Sequence, residues 1–402
     1  MGMLPNMSTS PIPPGTGTPG DACPGALRLH AADDGFLARV RIPGGVLTVA
    51  QARALGELSG ALGDGMLHLT SRGNLQLRGL RDGCGGELAG ALGEAGLLPS
   101  PAHERVRNVV ASPMSGLDDL GFVDVRDWLR ELDAQVCASS VTPELSGRFL
   151  FALDDGRGDV AALGPDVLVR GLPGGEGLLS VGGAEFRVRY EDAARAAVIA
   201  AEVFVEAARE VSGRRVWRVA ELAIPVAELT ERLTRRLEIS PARGAGLGSS
   251  AAPPRGATGH DGTAPDDAPS GFALPFGTAT PAQWTDLTDR AAQLPAQEIR
   301  LTPWRRIVIP GIPGITGITG KAEGQASPWT RVGACIGRPG CAKSHTDVRA
   351  DATARLAEAH PTLPTYWSGC ERRCGHPAGT YVDITARPDG GYDINTRTNR
   401  PS

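Results

Sequence analysis

Apolar and polar positions alternate through most of the first hundred residues. Leu27, Leu29, Phe36, Ala38, Val40 and Ile42 recur at period two around Asp33-Asp34-Gly35, which predicts a hairpin. Leu55, Leu58 and Leu62 then recur at helical spacing behind Thr48, which predicts a capped helix over 49–62. Residues 66–80 alternate on both sides of Arg72-Gly73-Asn74 and read as strand, turn, strand. A second helix is expected over 86–95.

The middle of the chain carries a different pattern. Arg105 to Val110 leads into a Ser-Pro-Met-Ser-Gly loop, followed by a helix over 125–138. Residues 145–156 read as a strand running into the turn Asp154-Asp155-Gly156. Further strands are expected near Val160, over 167–169 and over 186–190. Helices over 193–211 and 226–237 close this unit. Residues 1–24 and 239–270 are rich in Pro, Gly, Ser, Thr and Ala, too polar to bury a core, and are expected to be a tail and a linker.

Beyond the linker the pattern begins again. Pro43 and Pro275, Gly45 and Gly277, Thr48 and Thr280, Gln51 and Gln283, and Leu55 and Leu287 keep one constant, ungapped offset. At the same offset Leu69-Thr70 meets Leu301-Thr302, and Leu75, Leu77 and Leu80 meet Ile307, Ile309 and Ile312. The chain is read as an internal duplication. The expected units are a half-domain over 25–100, a site domain over 101–238, a second half-domain over 271–325 and a second site domain over 326–402. The fold class is α+β, and the natural cleft of such a molecule lies between its halves.

Composition narrows the function. The chain has 402 residues, 41% hydrophobic and 21% charged, which suffices for a packed core. A net charge of −4 argues against a nucleic-acid binder. No apolar run reaches the length of a membrane span and the N-terminus does not read as a secretory leader, so a cytoplasmic protein without membrane association is expected. Four of the seven cysteines cluster in Cys335-Ile-Gly-Arg-Pro-Gly-Cys341 and Cys370-Glu-Arg-Arg-Cys374. They flank a helix expected over 345–360, capped by Ser344, whose positive N-terminus would favour an anionic group. Four thiolates suit an iron–sulfur cluster or a structural zinc; a C-x5-C pair is long for a zinc knuckle. Cys84 and Cys137 read as buried or incidental thiols.

Cys-x5-Cys with Cys-x3-Cys, Leu69-Thr70-Ser71-Arg72-Gly73-Asn74-Leu75-Gln76 and Arg107-Asn108-Val109 together resemble the nitrite/sulfite reductase superfamily. The resemblance implies two ferredoxin-like half-domains and two duplicated [4Fe–4S]/sirohaem-type domains. It implies a [4Fe–4S] cluster on Cys335, Cys341, Cys370 and Cys374. The reductases carry a Lys-x-Lys pair where this chain has Arg148-Phe149-Leu150. Residues 145–156 and Arg300-Leu301-Thr302-Pro303-Trp304-Arg305 instead resemble the precorrin-3B synthase family of aerobic cobalamin biosynthesis. That likeness implies an oxygen-dependent monooxygenase, an oxidoreductase that hydroxylates precorrin-3A with lactone formation. It also implies a mononuclear non-haem iron and electrons from an external NAD(P)H-dependent reductase or a ferredoxin. Under the alternative, a sulfite or nitrite reductase, sirohaem is the cofactor and Cys374 bridges to it.

Precorrin and sirohaem are both fringed with carboxylates, which a guanidinium fork binds in bidentate fashion. Arg72, Arg107, Arg148 and Arg305 are the residues expected to bind the tetrapyrrole, with Arg78 and Arg306 behind them. His68, His103, His345 and His376 show no ligand spacing that would identify a facial triad. The catalytic residues are not identified by the sequence.

Overall fold

The computed structural model describes residues 25–242, 271–312, 329, 331–377 and 379–399. The first half-domain runs β1 (His30–Ala32), β2 (Gly35–Val40), β3 (Val46–Thr48), α1 (Val49–Leu62), β4 (Leu67–Leu69), β5 (Leu75–Leu80) and α2 (Gly85–Glu94). The first site domain follows with β6 (Val109–Ala111), α3 (Arg126–Ala138), β7 (Phe151–Asp154), β8 (Val167–Gly171), β9 (Gly177–Val181), β10 (Ala184–Val188), α4 (Ala193–Glu210) and α5 (Val226–Leu237). The second half-domain contributes β11 (Phe272–Ala273), β12 (Thr278–Ala279), α6 (Pro281–Ala292), β13 (Glu298–Leu301) and β14 (Arg306–Val308). The second site domain contributes β15 (Val332–Ala334), α7 (Val348–Ala354), β16 (Thr365–Ser368), β17 (Gly379–Ala386) and β18 (Tyr392–Asn399). The expected tail over 1–24 and most of the expected linker lie outside the described residues.

The duplication is visible in atomic detail. Thr48 and Thr280 each cap a helix by accepting the N–H of Gln51 or Gln283, whose side chain accepts the cap's own N–H in return. The tight turns after β4 and β13 also match. Thr70 Oγ1 accepts the N–H of Asn74, and Thr302 Oγ1 accepts the N–H of Arg306. Gly73 and Arg305 hold the same place in these turns, both left-handed, at φ 65° and 59°.

The two half-domains complete each other's sheets. β12 pairs with β4 at the edge of the sheet β1-β2-β5-β4, and β3 pairs with β13 at the edge of β11-β14-β13. Leu47, Leu55, Leu69 and Leu75 share one buried cluster with Trp284, Leu287, Ile299, Leu301 and Ile307. The fold class is therefore the expected α+β duplication around a common core.

The site domains repeat as well, although their sequences do not align at one offset. In the first, β6–β7 and β7–β8 are parallel and β8–β9 antiparallel; in the second, β15–β16, β16–β17 and β17–β18 follow the same order. Ala111 opposite Leu153 corresponds to Ala334 opposite Trp367. Two expectations fail locally. Val160 lies in a turn rather than a strand, buried beside Val110, Leu150 and Ala152. The helix expected over 345–360 spans only Val348–Ala354; the chain then tightens into a 3-10 turn at Leu356–Glu358. That turn keeps Leu356 and Ala359 against the apolar cluster of Val348, Ala352 and Trp367.

Candidate functional site

The cysteines stand on the loops that leave the parallel strands β15 and β16. Cys335 follows β15 directly and donates its N–H to the carbonyl of Trp367. Its sulfur accepts the N–H of Gly369 at 3.2 Å. A side chain at 369 would meet Ser344 Oγ at 1.9 Å, so glycine is required for this approach. Cys370 follows at once, and Arg373 ties the loop down by ion pairs to Glu371 and to the buried Asp383, both at 2.8 Å. Tyr366 donates its hydroxyl to the carbonyl of Cys374. Gly375, left-handed at φ 82°, leaves room for that hydroxyl.

Cys341 is held by the other half of the molecule. Asp33 accepts the N–H of Ala342 at 2.6 Å. Arg78 forks onto Asp34 with two 2.8 Å bonds and donates to the carbonyl of Gly340. The first hairpin thus locks the loop between the second cysteine and the second site domain. No sequence signal marked Asp33 and Asp34 beyond the turn they make.

Arginines stand beside the thiols, and the carboxylates on the loops around them are taken up: Glu371 by Arg373, Asp34 by Arg78, and Asp33 by the N–H of Ala342. Burial pushes the Cys335 thiol up, the N–H groups of Gly369 and Gly337 oppose that, and the nearby Cys370 and Cys374 add to it. Arg349 donates Nε to the carbonyl of Cys335 and Nη1 to Thr278 Oγ1, and burial lowers its pKa. Arg305 donates to the carbonyl of Gly375, beside Cys374. The helix N-terminus has another partner: Asp347, not Ser344, caps α7 and accepts the N–H groups of Arg349 and Ala350.

The donor set fits a cluster better than a single ion. A tetrahedral zinc with bonds of about 2.3 Å draws its sulfurs to within about 4 Å of one another. Among the described residues only Asp154, Asp155 and Asp159 bring three donor atoms within 4.8 Å, so the thiols are spread more widely than one ion requires. Thiolates in this spread, with backbone N–H groups and arginines around them, fit the net negative charge of a thiolate-ligated iron–sulfur cluster.

The four arginines expected to bind tetrapyrrole are placed differently from one another. Arg107 is buried and forks onto Asp133 with two 2.7 Å bonds, while its third nitrogen donates to the carbonyl of Leu97. Its guanidinium is committed to packing α3 against the chain and is not available to a ligand, contrary to expectation. Asn108 is a buried clamp. Its oxygen accepts from Arg41 and its amide donates to the carbonyl of Phe149. Arg41 also donates to the carbonyl of Gly147. These bonds fix the backbone on both sides of Arg148, which is exposed and lies 4.2 Å over the ring of Trp217. Arg72 is half-buried on the turn after β4, and Arg305 stands at the cysteine loop. Arg306 is largely buried, and desolvation lowers its pKa.

Leu150 is 2% exposed and belongs to a small cluster with Val110, Ala152 and Val160, against which Trp304 packs. Among the described residues no histidine joins a three-donor group. His103 is held by Ser100 and the carbonyl of Ser139, His376 stacks on Tyr381, and His345 is exposed. Asp154 accepts the N–H groups of Gly156 and Gly158, a turn as expected. No helix among the described residues is long and apolar enough to cross a membrane.

Residues 29–94 match the family described as nitrite/sulfite reductase ferredoxin-like half domain. A precorrin-3B synthase from Sinorhizobium sp. is 25% identical over 396 residues, 94% of this chain and 83% of that protein. A ferredoxin–nitrite reductase from Synechococcus elongatus is 28% identical over 412 residues, 89% of this chain and 79% of that protein. In three dimensions the NirA protein of Mycobacterium tuberculosis superposes with a TM-score of 0.66 at 19% identity, covering 90% of this chain and 74% of that one. Residues 29–94 thus match a nitrite/sulfite reductase ferredoxin-like half domain, and the chain around them resembles the nitrite/sulfite reductase superfamily along most of its length.

Proposed function

We propose that the chain is an oxidoreductase of the precorrin-3B synthase type, a monooxygenase that uses O2 to hydroxylate precorrin-3A and close a lactone. The observation that carries the choice over a reductase is Leu150. Multi-electron reduction of a bound anion needs protons delivered beside it, and an apolar side chain packed under Val110, Ala152, Val160 and Trp304 supplies none. The similarity to a precorrin-3B synthase over 94% of the chain supports the same reading.

Cys335, Cys341, Cys370 and Cys374 would hold a [4Fe–4S] cluster, which when bound supplies single-electron transfer. Arg305 and Arg349 hold the carbonyls of Gly375 and Cys335 and set positive charge beside it. Arg148 and Arg72 are the side chains with the reach and charge to take macrocycle carboxylates. Trp304, half-buried over the Leu150 cluster, offers the macrocycle an apolar face. Electrons would come from a separate protein, an NAD(P)H-dependent reductase or a ferredoxin.

Anaerobic purification followed by iron, sulfide and chromophore quantification tests this reading. Iron and sulfide without tetrapyrrole absorption, and turnover of precorrin-3A with O2 and an electron donor, are expected. Bound sirohaem bands with sulfite or nitrite reduction would overturn it in favour of the reductase.

A further inference from the structure

A hydrogen-bonded line runs from the cysteine site to the sheet where the two halves join. Arg349 donates Nε to the carbonyl of Cys335 at 3.1 Å and Nη1 to Thr278 Oγ1 at 3.2 Å. Thr278 on β12 stands opposite His68 on β4, with Thr278 Oγ1 3.2 Å from His68 Nδ1. A guanidinium only donates, so the threonine oxygen accepts from Arg349 and its hydroxyl proton is left for Nδ1. In the tautomer whose Nδ1 accepts that proton, neutral His68 carries its own proton on Nε2. That nitrogen is buried without a hydrogen-bond partner, and Asp64 Oδ2 lies 3.7 Å away, the distance of an ion pair if the ring charges.

The charged groups facing His68 are Asp64 from the turn before β4, Arg78 from β5 and Arg349 from α7. Burial holds the pKa of His68 below the ordinary histidine value; Arg349 and Arg78 push the same way, and Asp64 opposes them. The duplication supplies a contrast. Thr278 faces His68 as Val46 faces Arg300 in the other sheet. Arg300 donates to the carbonyls of Pro113 and Ser115, on the loop after β6, and pairs with Glu298. The site domain without cysteines is thus approached by a permanent cation, Arg300, where the site domain with cysteines is approached by a titratable ring, His68.

We propose that His68 is the proton-coupling residue of the cysteine site. It takes one proton from water at Nδ1 when a one-electron donor delivers one electron to a cluster held by the four cysteines. The new N–H bond forms at Nδ1, Thr278 turns its hydroxyl to accept it, and Nε2–H becomes the cationic partner of Asp64. Added negative charge at Cys335 offsets the repulsion from Arg349, which acts together with burial to keep the ring neutral. His68 acts through Thr278 and Arg349 and touches neither cluster nor substrate, so it is a positioning residue for charge. This inference rests on the cluster reading given above.

The test is a dithionite titration of the anaerobically purified full chain, followed by the electron paramagnetic resonance signal of the reduced cluster at several pH values between about 6 and 9. In the unaltered protein the reduction potential should fall as pH rises, towards a limit of about 59 mV for each tenfold change in proton concentration. His68→Gln, which keeps a hydrogen bond to Thr278, should flatten that slope. Asp64→Asn, at the partly exposed end of the line, should move the sloping region to lower pH while keeping the signal. An unchanged slope in His68→Gln, with the signal intact, would overturn the role of His68 alone. A wild-type protein with no such signal and no iron or sulfide would overturn the cluster reading and this inference together.

Discussion

At the end of β6, Ser112 donates its N–H to the carbonyl of Leu153, and its Oγ accepts the N–H of Asp155. At the end of β15, Cys335 donates its N–H to the carbonyl of Trp367, and its Sγ accepts the N–H of Gly369. The strand register makes Ser112 the counterpart of Cys335, and Asp155 and Gly156 the counterparts of Gly369 and Cys370. The backbone mould is the same in both halves. In the second it presents thiols, whereas in the first it holds Asp154, Asp155 and Asp159, with Arg157 paired to Asp155 and Asp118. The difference shows that the fold supplies an anion-friendly pocket of N–H groups twice. The residues at two strand ends decide whether a soft, metal-binding donor or a charged side-chain network fills it.

The strongest way to break this contrast is to make the second site resemble the first. Cys335→Ser should abolish nearly all bound iron and sulfide in chemical analysis, because a hydroxyl stays protonated where a thiolate is needed. The reciprocal Ser112→Cys should gain none, since Gly156 offers no second sulfur.

The next largest effect belongs to the framework of the first site domain. Arg107→Ala leaves Asp133 without its fork and should cost about 3–5 kcal/mol in chemical denaturation, the usual penalty for breaking a buried pair. Retained cluster content in that variant would separate the structural role of Arg107 from any role at the cysteine site.

A smaller effect sharpens the carboxylate side of the comparison. Burial and the charge of Asp154 push the Asp159 carboxyl up to about 7, so the folded state keeps a proton there that the unfolded chain has released above about pH 4. Stability contributed by that proton is lost as pH rises through this window. Asp159→Asn keeps the shape without the charge. It should raise the melting temperature at pH 8 and change it little at pH 4, measured by circular dichroism in parallel scans. A gain of equal size at both pH values would show that the carboxylates do not repel one another as their placement implies.

The smallest effect compares the duplicated helix starts. Thr48→Ala and Thr280→Ala should each cost about 1 kcal/mol, because the two boxes make the same pair of bonds. A clear inequality between them would locate the point where the halves have ceased to be equivalent.

These features were unequally legible in the sequence. The half-domains could be read directly, because Thr48 with Gln51 and Thr280 with Gln283 are local signals at a constant spacing. The cysteines were legible for the same reason. The likeness of the two site domains was not, since insertions between strands change the offset and only the pairing of Ala111 with Leu153 and Ala334 with Trp367 reveals it. Arg107 lay in a motif that suggested a ligand, and nothing local announced Asp133 as its partner. Asp33 and Asp34 serve a loop about three hundred residues away, a relation that no local pattern encodes.

The exchange of strands between the half-domains also governs how the protein can be divided. Each sheet draws an edge strand from the other copy, so residues 25–242 and residues 271–399 each lack a border that the other provides. Separated, both pieces would display open hydrogen-bonding edges beside exposed apolar core, the condition that leads chains to pair with strangers. Produced together, they have each other's missing strands and a shared interior to close over. Division of this molecule is therefore a question of supply in step: the two pieces are expected to stay in solution as a pair and to aggregate singly, which sedimentation of each piece alone and of both produced together would show.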